Sequence, residues 1–253
     1  MQASLHLDTI SLVQFKNYIT RKFHFPNRIT AICGPNGAGK TTCFNLLTKF
    51  LSPTRGKIAF NGVDITGDKP AQIARRGIIR SFQISAVFPH LSVLENVRIG
   101  LQRQTGDSFH FWRSENVLNK LNDRAQALLE QVDLGQFANE ITASLPYGRK
   151  RALEIATTLA MEPELMLLDE PTQGMGHEDV ERVTQLIKRV SVGRTILMVE
   201  HNMGVVSSIA DTITVLARGA VLAEGNYAHV SRDPSVMQAY MGTTEGELEG
   251  AHA

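Results

Sequence analysis

An α/β fold with a mainly parallel sheet and one inserted helical lobe is predicted by three observations. NRITAIC (27–33), ELMLLDEP (164–171) and TILMVEH (195–201) each carry a short apolar run suited to a strand buried on both faces. Helical periodicity follows each of them, and strands alternating with helices imply a parallel sheet. Between 84 and 158 the strand signals stop and apolar residues recur only at helical spacing. That block holds about 75 residues, the size of a small domain.

The elements follow in order. After the 27–33 strand, GPNGAGKTT leads into CFNLLTKFL at helical spacing, closed by SPTRG. KIAFNGVDITG reads as a hairpin around Asn61-Gly62, a dipeptide that tolerates the positive φ of a tight turn. PAQIARRG is a short helix and IIRSFQ a strand that ends near Gln83. VLENVRIGLQR, ENVLNKLNDRAQALLEQVDL and RKRALEIATTLAM form the helical lobe. EDVERVTQLIKRV is amphipathic, MGVVSSIA is a further helix, and TITVLARGAVLAEG is a hairpin turning at Gly219. GTTEGELEGAHA, after Met241, is acidic, small and aperiodic, which predicts a frayed tail. The predicted organisation is one domain: a core of 1–83 and 159–241, a helical subdomain of 84–158, and a tail of 242–253.

Composition narrows the function classes. In 253 residues, 26 Lys plus Arg stand against 25 Asp plus Glu, a balance that gives no electrostatic case for a nucleic-acid binder. The two cysteines, Cys33 and Cys43, exclude a disulfide scaffold and a cysteine metal site and read as reduced core thiols. The N-terminal MQASLHLDTISLVQF lacks the basic-then-apolar order of a secretory signal. No apolar run approaches the roughly 20 residues that cross a bilayer, so a membrane role is expected to come through partners.

GPNGAGKT at 34–41 fits G-x-x-x-x-G-K-[ST] between a strand and a helix. Gly34, Pro35, Asn36, Gly37, Ala38, Gly39 and Thr42 then supply the loop whose amides cradle phosphates. Lys40 reaches the β- and γ-oxygens of ATP, and Thr41 offers its hydroxyl to Mg²⁺. LLDEP brings Asp169 to a strand end as a second Mg²⁺ ligand, with Glu170 beside it to polarise a water. Gln83 is placed to touch both the metal and the attacking water, and His201, beyond a third strand, to donate to the γ-phosphate. SLPYGRKR opens a helix with Pro146 and three bases, so its free amides form an anion site.

Taken together in this order, GPNGAGKTT, the glutamine of RSFQ, LPYGR, LLDEP and the histidine of VEHN resemble the ATP-binding-cassette (ABC) ATPases over about residues 28–240. The resemblance implies a P-loop NTPase with a RecA-like core, and ATP with Mg²⁺ as cofactors. It also implies a head-to-tail dimer, in which Leu145, Pro146, Tyr147, Gly148 and Arg149 meet the γ-phosphate held on a second subunit's loop. The usual signature is Leu-Ser-Gly-Gly-Gln. Here Pro146 offers neither hydroxyl nor N–H, which leaves the amides of Tyr147 and Gly148.

LLTKFLSPTRG, RSFQISAVFPHLSVLENV and LPYGRKRALEIA are similar to the ATPases of branched-chain amino-acid importers. This implies membrane permease subunits as partners, a substrate-binding protein indirectly, and a place on the cytoplasmic face of the cell membrane. PTQGMGHED matches the family's D-loop, which implies a contact between the two chains of the dimer. An aromatic ring ahead of the loop is expected to stack on adenine, with Phe15 the better match and Tyr18 its rival. SAVFPHL is either core or part of a groove for the permease. Importers of urea or aromatic acids share these features. FKNY followed by ITAICGPNG also resembles chromosome-maintenance ATPases, giving a second reading as a soluble DNA-processing enzyme. That reading predicts a long coiled coil or large insertion between loop and signature, and a basic face, yet the chain shows neither and residues 40 to 145 hold no sustained heptads. A non-hydrolysing interaction subunit is a third reading, opposed by intact Lys40, Asp169 and Glu170.

Overall fold

The computed structural model describes residues 10–12, 21–23, 29–81, 87–105 and 121–240. Its central sheet is built from β3 (Ile29–Cys33), β6 (Ile78–Ser81), β7 (Leu165–Asp169), β8 (Thr195–Val199), β9 (Thr212–Ala217) and β10 (Ala220–Gly225). The strand order is β10-β9-β3-β8-β7-β6, parallel throughout except for the antiparallel β9–β10 pair. Two short antiparallel pairs lie apart from it: β1 (Ile10–Leu12) with β2 (Arg21–Phe23), and β4 (Ala59–Phe60) with β5 (Val63–Asp64).

Every residue of β3, β7 and β8 is buried, which explains their unbroken apolar runs: a parallel sheet is covered on both faces. The two-residue period divides them. Ile29, Ala31, Met166, Leu168, Ile196 and Met198 join the core on one side. Ile32, Leu165, Leu167, Leu197 and Val199 join a second core on the other. The second core is capped by α1 (Lys40–Leu47), which buries Cys43, Phe44, Leu46 and Leu47. The first core receives α3 (Val93–Thr105), α4 (Asn122–Gln131), α5 (Tyr147–Leu159) and α6 (His177–Val190). Each fully buried aliphatic side chain contributes roughly 1.5–3 kcal/mol, so these interleaved faces fix the strand register.

The smaller helices are α2 (Pro70–Arg75), α7 (Met203–Ile209) and α8 (Tyr227–Val230). The Asn61-Gly62 turn has the expected positive φ at both residues, 49° and 75°. The terminal hairpin likewise turns at Arg218-Gly219, with φ of 49° and 79°. Residues 234–240 form a helix that the periodicity reading leaves unassigned. The expected tail, the aromatic stretch 109–113, Phe15, Tyr18 and Gln83 lie outside the described residues. Among the described residues, no helix is long and apolar enough to cross a membrane.

Candidate functional site

Parallel β3, β7 and β8 deliver their carboxyl ends to one edge of the sheet, where α/β folds bind ligands. The loop 34–39 leaves β3 there, Asp169 ends β7, Glu170 follows it, and His201 lies just past β8.

Backbone space shapes the loop. Gly34 stands at φ +146°, and a β-carbon on it would lie 2.1 Å from the Leu216 carbonyl oxygen on β9. Only glycine fits that approach. Gly39, at φ 102°, is the left-handed N-cap of α1. The Ala38 amide donates to the Pro35 carbonyl at 3.1 Å, and the Gly219 amide donates to the Ala38 carbonyl at 3.0 Å. The Lys40 ammonium turns back over the loop, donating to the Gly34 carbonyl and, at 3.2 Å, to the Pro35 carbonyl. Burial pulls its pKa below the ordinary range, opposed by the charges of Glu170, Cys33 and Asp169. The first turn of α1 carries no acidic side chain, so its positive end is left for an anion.

Asp169 is only 2% exposed. Its carboxylate forms an ion pair with Arg80 on β6, and its carbonyl accepts from Arg151 Nη2 at 3.2 Å. Arg151, on α5, also pairs with Glu154 at 2.5 Å inside the core. Glu170 sits at φ 45°, a left-handed conformation uncommon for a non-glycine residue. Its amide donates to the Val199 carbonyl at 2.9 Å, which holds the residue against β8. His201 is 58% exposed in its side chain, with Nδ1 3.8 Å from Glu170 Oε1. Between them Glu200 is fully buried, and its carboxylate accepts from the Thr172 amide and hydroxyl and from the amides of His201 and Asn202.

Thr41 and Asp169 present a hydroxyl and a carboxylate, hard oxygens of the kind that suit Mg²⁺. Among the described residues no cluster of three His, Cys, Asp or Glu could hold a metal unaided. This donor set fits a cation whose remaining ligands are phosphate and water.

The second anion site is built on another part of the chain. Pro146 is the N-cap of α5 at φ −57°, ψ 157°, followed by exposed Tyr147 and buried Gly148. The first turn of α5 again has no acidic residue of its own, and the acidic group beside it is the Asp179 carboxyl of α6, against Gly148. Leu145 is buried and anchors the turn, and the Arg149 guanidinium lies 3.9 Å from the Phe137 ring centroid. Gly148 and Arg149 line a cavity of about 250 Å³ with α6 and residues 132–137. Residues 35–38 line a different one, of about 690 Å³, with the β9–β10 hairpin and the 234–240 helix. Gly148 with Arg149 and residues 35–38 thus line two different pockets.

SAVFPHL divides between the two readings given for it. Val87 packs against the core, whereas Phe88 is 53% exposed and lines a groove of about 160 Å³ with Arg80, Ile99 and Met161.

The fold and this edge define a P-loop nucleotide-binding ATPase with a helical insertion. The chain belongs to the ABC transporter family, whose profile matches residues 23–173. It is 36% identical to the high-affinity branched-chain amino acid transport ATP-binding protein BraF of Pseudomonas aeruginosa, over 85% of this chain and 87% of that one. It is 37% identical to LivG of Escherichia coli K12, which carries the same description, over 86% and 88%. The crystal structure of the ADP conformation of MJ1267, an ATP-binding cassette of an ABC transporter, superposes with a TM-score of 0.80 at 27% identity. That likeness covers 95% of this chain and 100% of the other. As a member of this family the chain is an ATP-binding ATPase, and the DNA-processing and non-hydrolysing readings are set aside.

Arg80, Arg151, Glu200 and the 234–240 helix were not singled out from sequence. The helix had a signal, Asp233-Pro234 with Val236 and Tyr240 four apart; Asp233 Oδ1 accepts from the Ser235 amide at 2.8 Å. Burial pushes the Tyr240 hydroxyl up to about 12, and it is hydrogen-bonded to the Gly34 backbone at the loop.

Proposed function

We propose that the chain is the ATP-hydrolysing subunit of an importer for branched-chain or other hydrophobic amino acids, acting as a dimer on membrane permease partners. The observation that carries the mechanism is the separation of the two anion sites. Lys40, Asp169, Glu170 and His201 stand at the carboxyl ends of the parallel strands, while Tyr147 and Gly148 open α5, in the helical segment between β6 and β7. A γ-phosphate on Lys40 stays open to water on one side until a second copy brings its α5 N-terminus against it. The substrate class is drawn from the printed functions of BraF and LivG.

In this reading the loop amides and Lys40 hold the β- and γ-phosphates. Thr41 and Asp169, with Gln83, hold Mg²⁺, which when bound neutralises phosphate charge. Glu170 takes the proton of the attacking water, and His201 donates to a phosphate oxygen. Phe15 stacks on adenine. The partner's amides at 147 and 148 then complete the cage, and closure draws together the helical lobes, residues 84–158. A permease helix occupies the groove that exposed Phe88 lines, and the assembly works at the cytoplasmic face of the membrane.

A Glu170→Gln variant tests this. It is expected to bind ATP, turn over roughly a hundred- to ten-thousandfold more slowly, and trap the closed dimer. Detergent extraction in ATP should then co-purify polytopic membrane proteins with it. Reconstituted with those proteins and a binding protein, the wild-type chain should drive ATP-dependent leucine uptake. Recovery of the trapped variant without any membrane protein would refute the transport assignment.

A further inference from the structure

We propose that Arg80 is a positioning residue for the nucleotide–metal site, fixing the Asp169 carboxylate and tying it to the helix that begins at Lys40. The inference rests on the reading of Asp169 as a Mg²⁺ ligand.

Three contacts converge on this side chain. Nη2 pairs with Asp169 Oδ2, Nη1 donates to Asn45 Oδ1 at 2.6 Å, and the guanidinium carbon lies 5.4 Å from the Phe44 ring centroid. Asn45 and Phe44 both belong to α1, whose first residues are Lys40 and Thr41. Arg80 and Asp169 come from the adjacent parallel strands β6 and β7. One planar group therefore joins the strand that bears the carboxylate to the helix that bears the phosphate lysine and the hydroxyl.

The physical need for such a group follows from burial. The side chains of Arg80 and Asp169 are 10% and 2% exposed. A carboxylate so enclosed requires a compensating charge and a partner that fixes its orientation. Asp169 has two rotatable side-chain bonds, and the Nη2 contact at Oδ2 restrains the carboxylate through that oxygen. The guanidinium is in turn held by Asn45 and by the Phe44 face. A lysine at 80 keeps the charge but cannot bridge Asn45 and Asp169 with a rigid fork or lie flat on the ring. Partners that orient metal ligands in this way are worth roughly ten- to a hundredfold in metal affinity.

The experiment measures Mn²⁺ affinity by EPR titration of the full chain loaded with a non-hydrolysable ATP analogue. Binding of the analogue in EDTA is measured alongside. Arg80→Lys is expected to weaken Mn²⁺ binding by roughly ten- to a hundredfold, with metal-free nucleotide binding unchanged. Asn45→Ala, which loosens the guanidinium without touching Asp169, should show a smaller loss in the same direction. Thermal melting establishes that each variant is folded; if Arg80→Lys does not fold, Asn45→Ala decides. Unchanged Mn²⁺ affinity in the folded variants overturns the inference, as does an equal loss of metal-free nucleotide binding, which marks general damage. Asp169→Asn is the reference. If it loses Mn²⁺ while the Arg80 and Asn45 variants keep it, the role of Arg80 fails alone; if it keeps wild-type affinity, the reading of Asp169 fails with it.

Discussion

Gly148, the second residue of α5, lies against the carboxyl group of Asp179 on α6. A β-carbon at 148 would come within 2.7 Å of Asp179 Cγ and Oδ1. The signature turn is thus wedged onto the first turn of the helix that follows PTQGMG, and its backbone position depends on the absence of a side chain at 148.

Gly148→Ala is therefore expected to displace the turn. The Asp179 side chain is 38% exposed and gives way in part, so the overlap is shared between it and the turn and the stability cost stays near 1 kcal/mol. A shift of even about 1 Å at a phosphate-contacting amide costs on the order of a hundredfold in turnover. ATP binding, proposed for the loop at 34–41, should be unaffected. Adding Asp179→Ala makes room for the new methyl group and should restore part of the rate. A Gly148→Ala enzyme with wild-type kcat would show that the wedge does not set the turn.

Glu200 gathers four donors from the segment after Glu170 and from the turn that carries His201. Glu200→Ala strands those donors in the core, and each orphaned group costs about 1–3 kcal/mol. The expected result is a markedly lower Tm together with a loss of kcat, because the neighbours of both catalytic candidates are released. Glu200→Gln keeps the shape and part of the acceptor capacity and should fall between. Urea unfolding and steady-state ATPase rates on both variants check this; a neutral Glu200→Ala would contradict the assignment.

Burial pushes the Cys43 thiol from 9.0 up to about 12, and the same cause takes Cys33 to about 12. Below pH 9.0 both states keep the proton, and this contribution is intact. As pH rises from there toward 12, the unfolded chain ionises while the folded one does not, so stability falls. The slope reaches at most about 1.4 kcal/mol per pH unit for each thiol. Urea unfolding at about pH 8 and about pH 10 should show a drop that is smaller in Cys43→Ala by about 1 kcal/mol. Equal drops in the two proteins would exclude the thiol as the cause.

These results also mark what the sequence could reveal. Strands β3, β7 and β8 were legible because burial on both faces leaves unbroken apolar runs, and the loop was legible because Gly34 and Gly39 are dictated by backbone geometry. Arg80 and Glu200 were not, since their roles arise from partners brought together only by folding. Asp169 is 89 positions from Arg80, and Thr172 is 28 from Glu200. A charge inside an apolar strand was the available hint at Arg80, and no motif separates a buried Glu200 from a solvated one. The left-handed backbone at Glu170 is likewise invisible in a string of letters, since its amide meets the Val199 carbonyl only on folding.

In the proposed dimer, one chain supplies only part of each hydrolytic site. ATPase rate per chain, measured across a dilution series with mass determined in parallel by analytical ultracentrifugation, tests it most directly. The rate per chain is expected to fall with the dimer population and approach zero for the monomer, whereas the monomer still binds ATP. A monodisperse monomer that hydrolyses ATP at the full rate, unchanged on dilution, would contradict it.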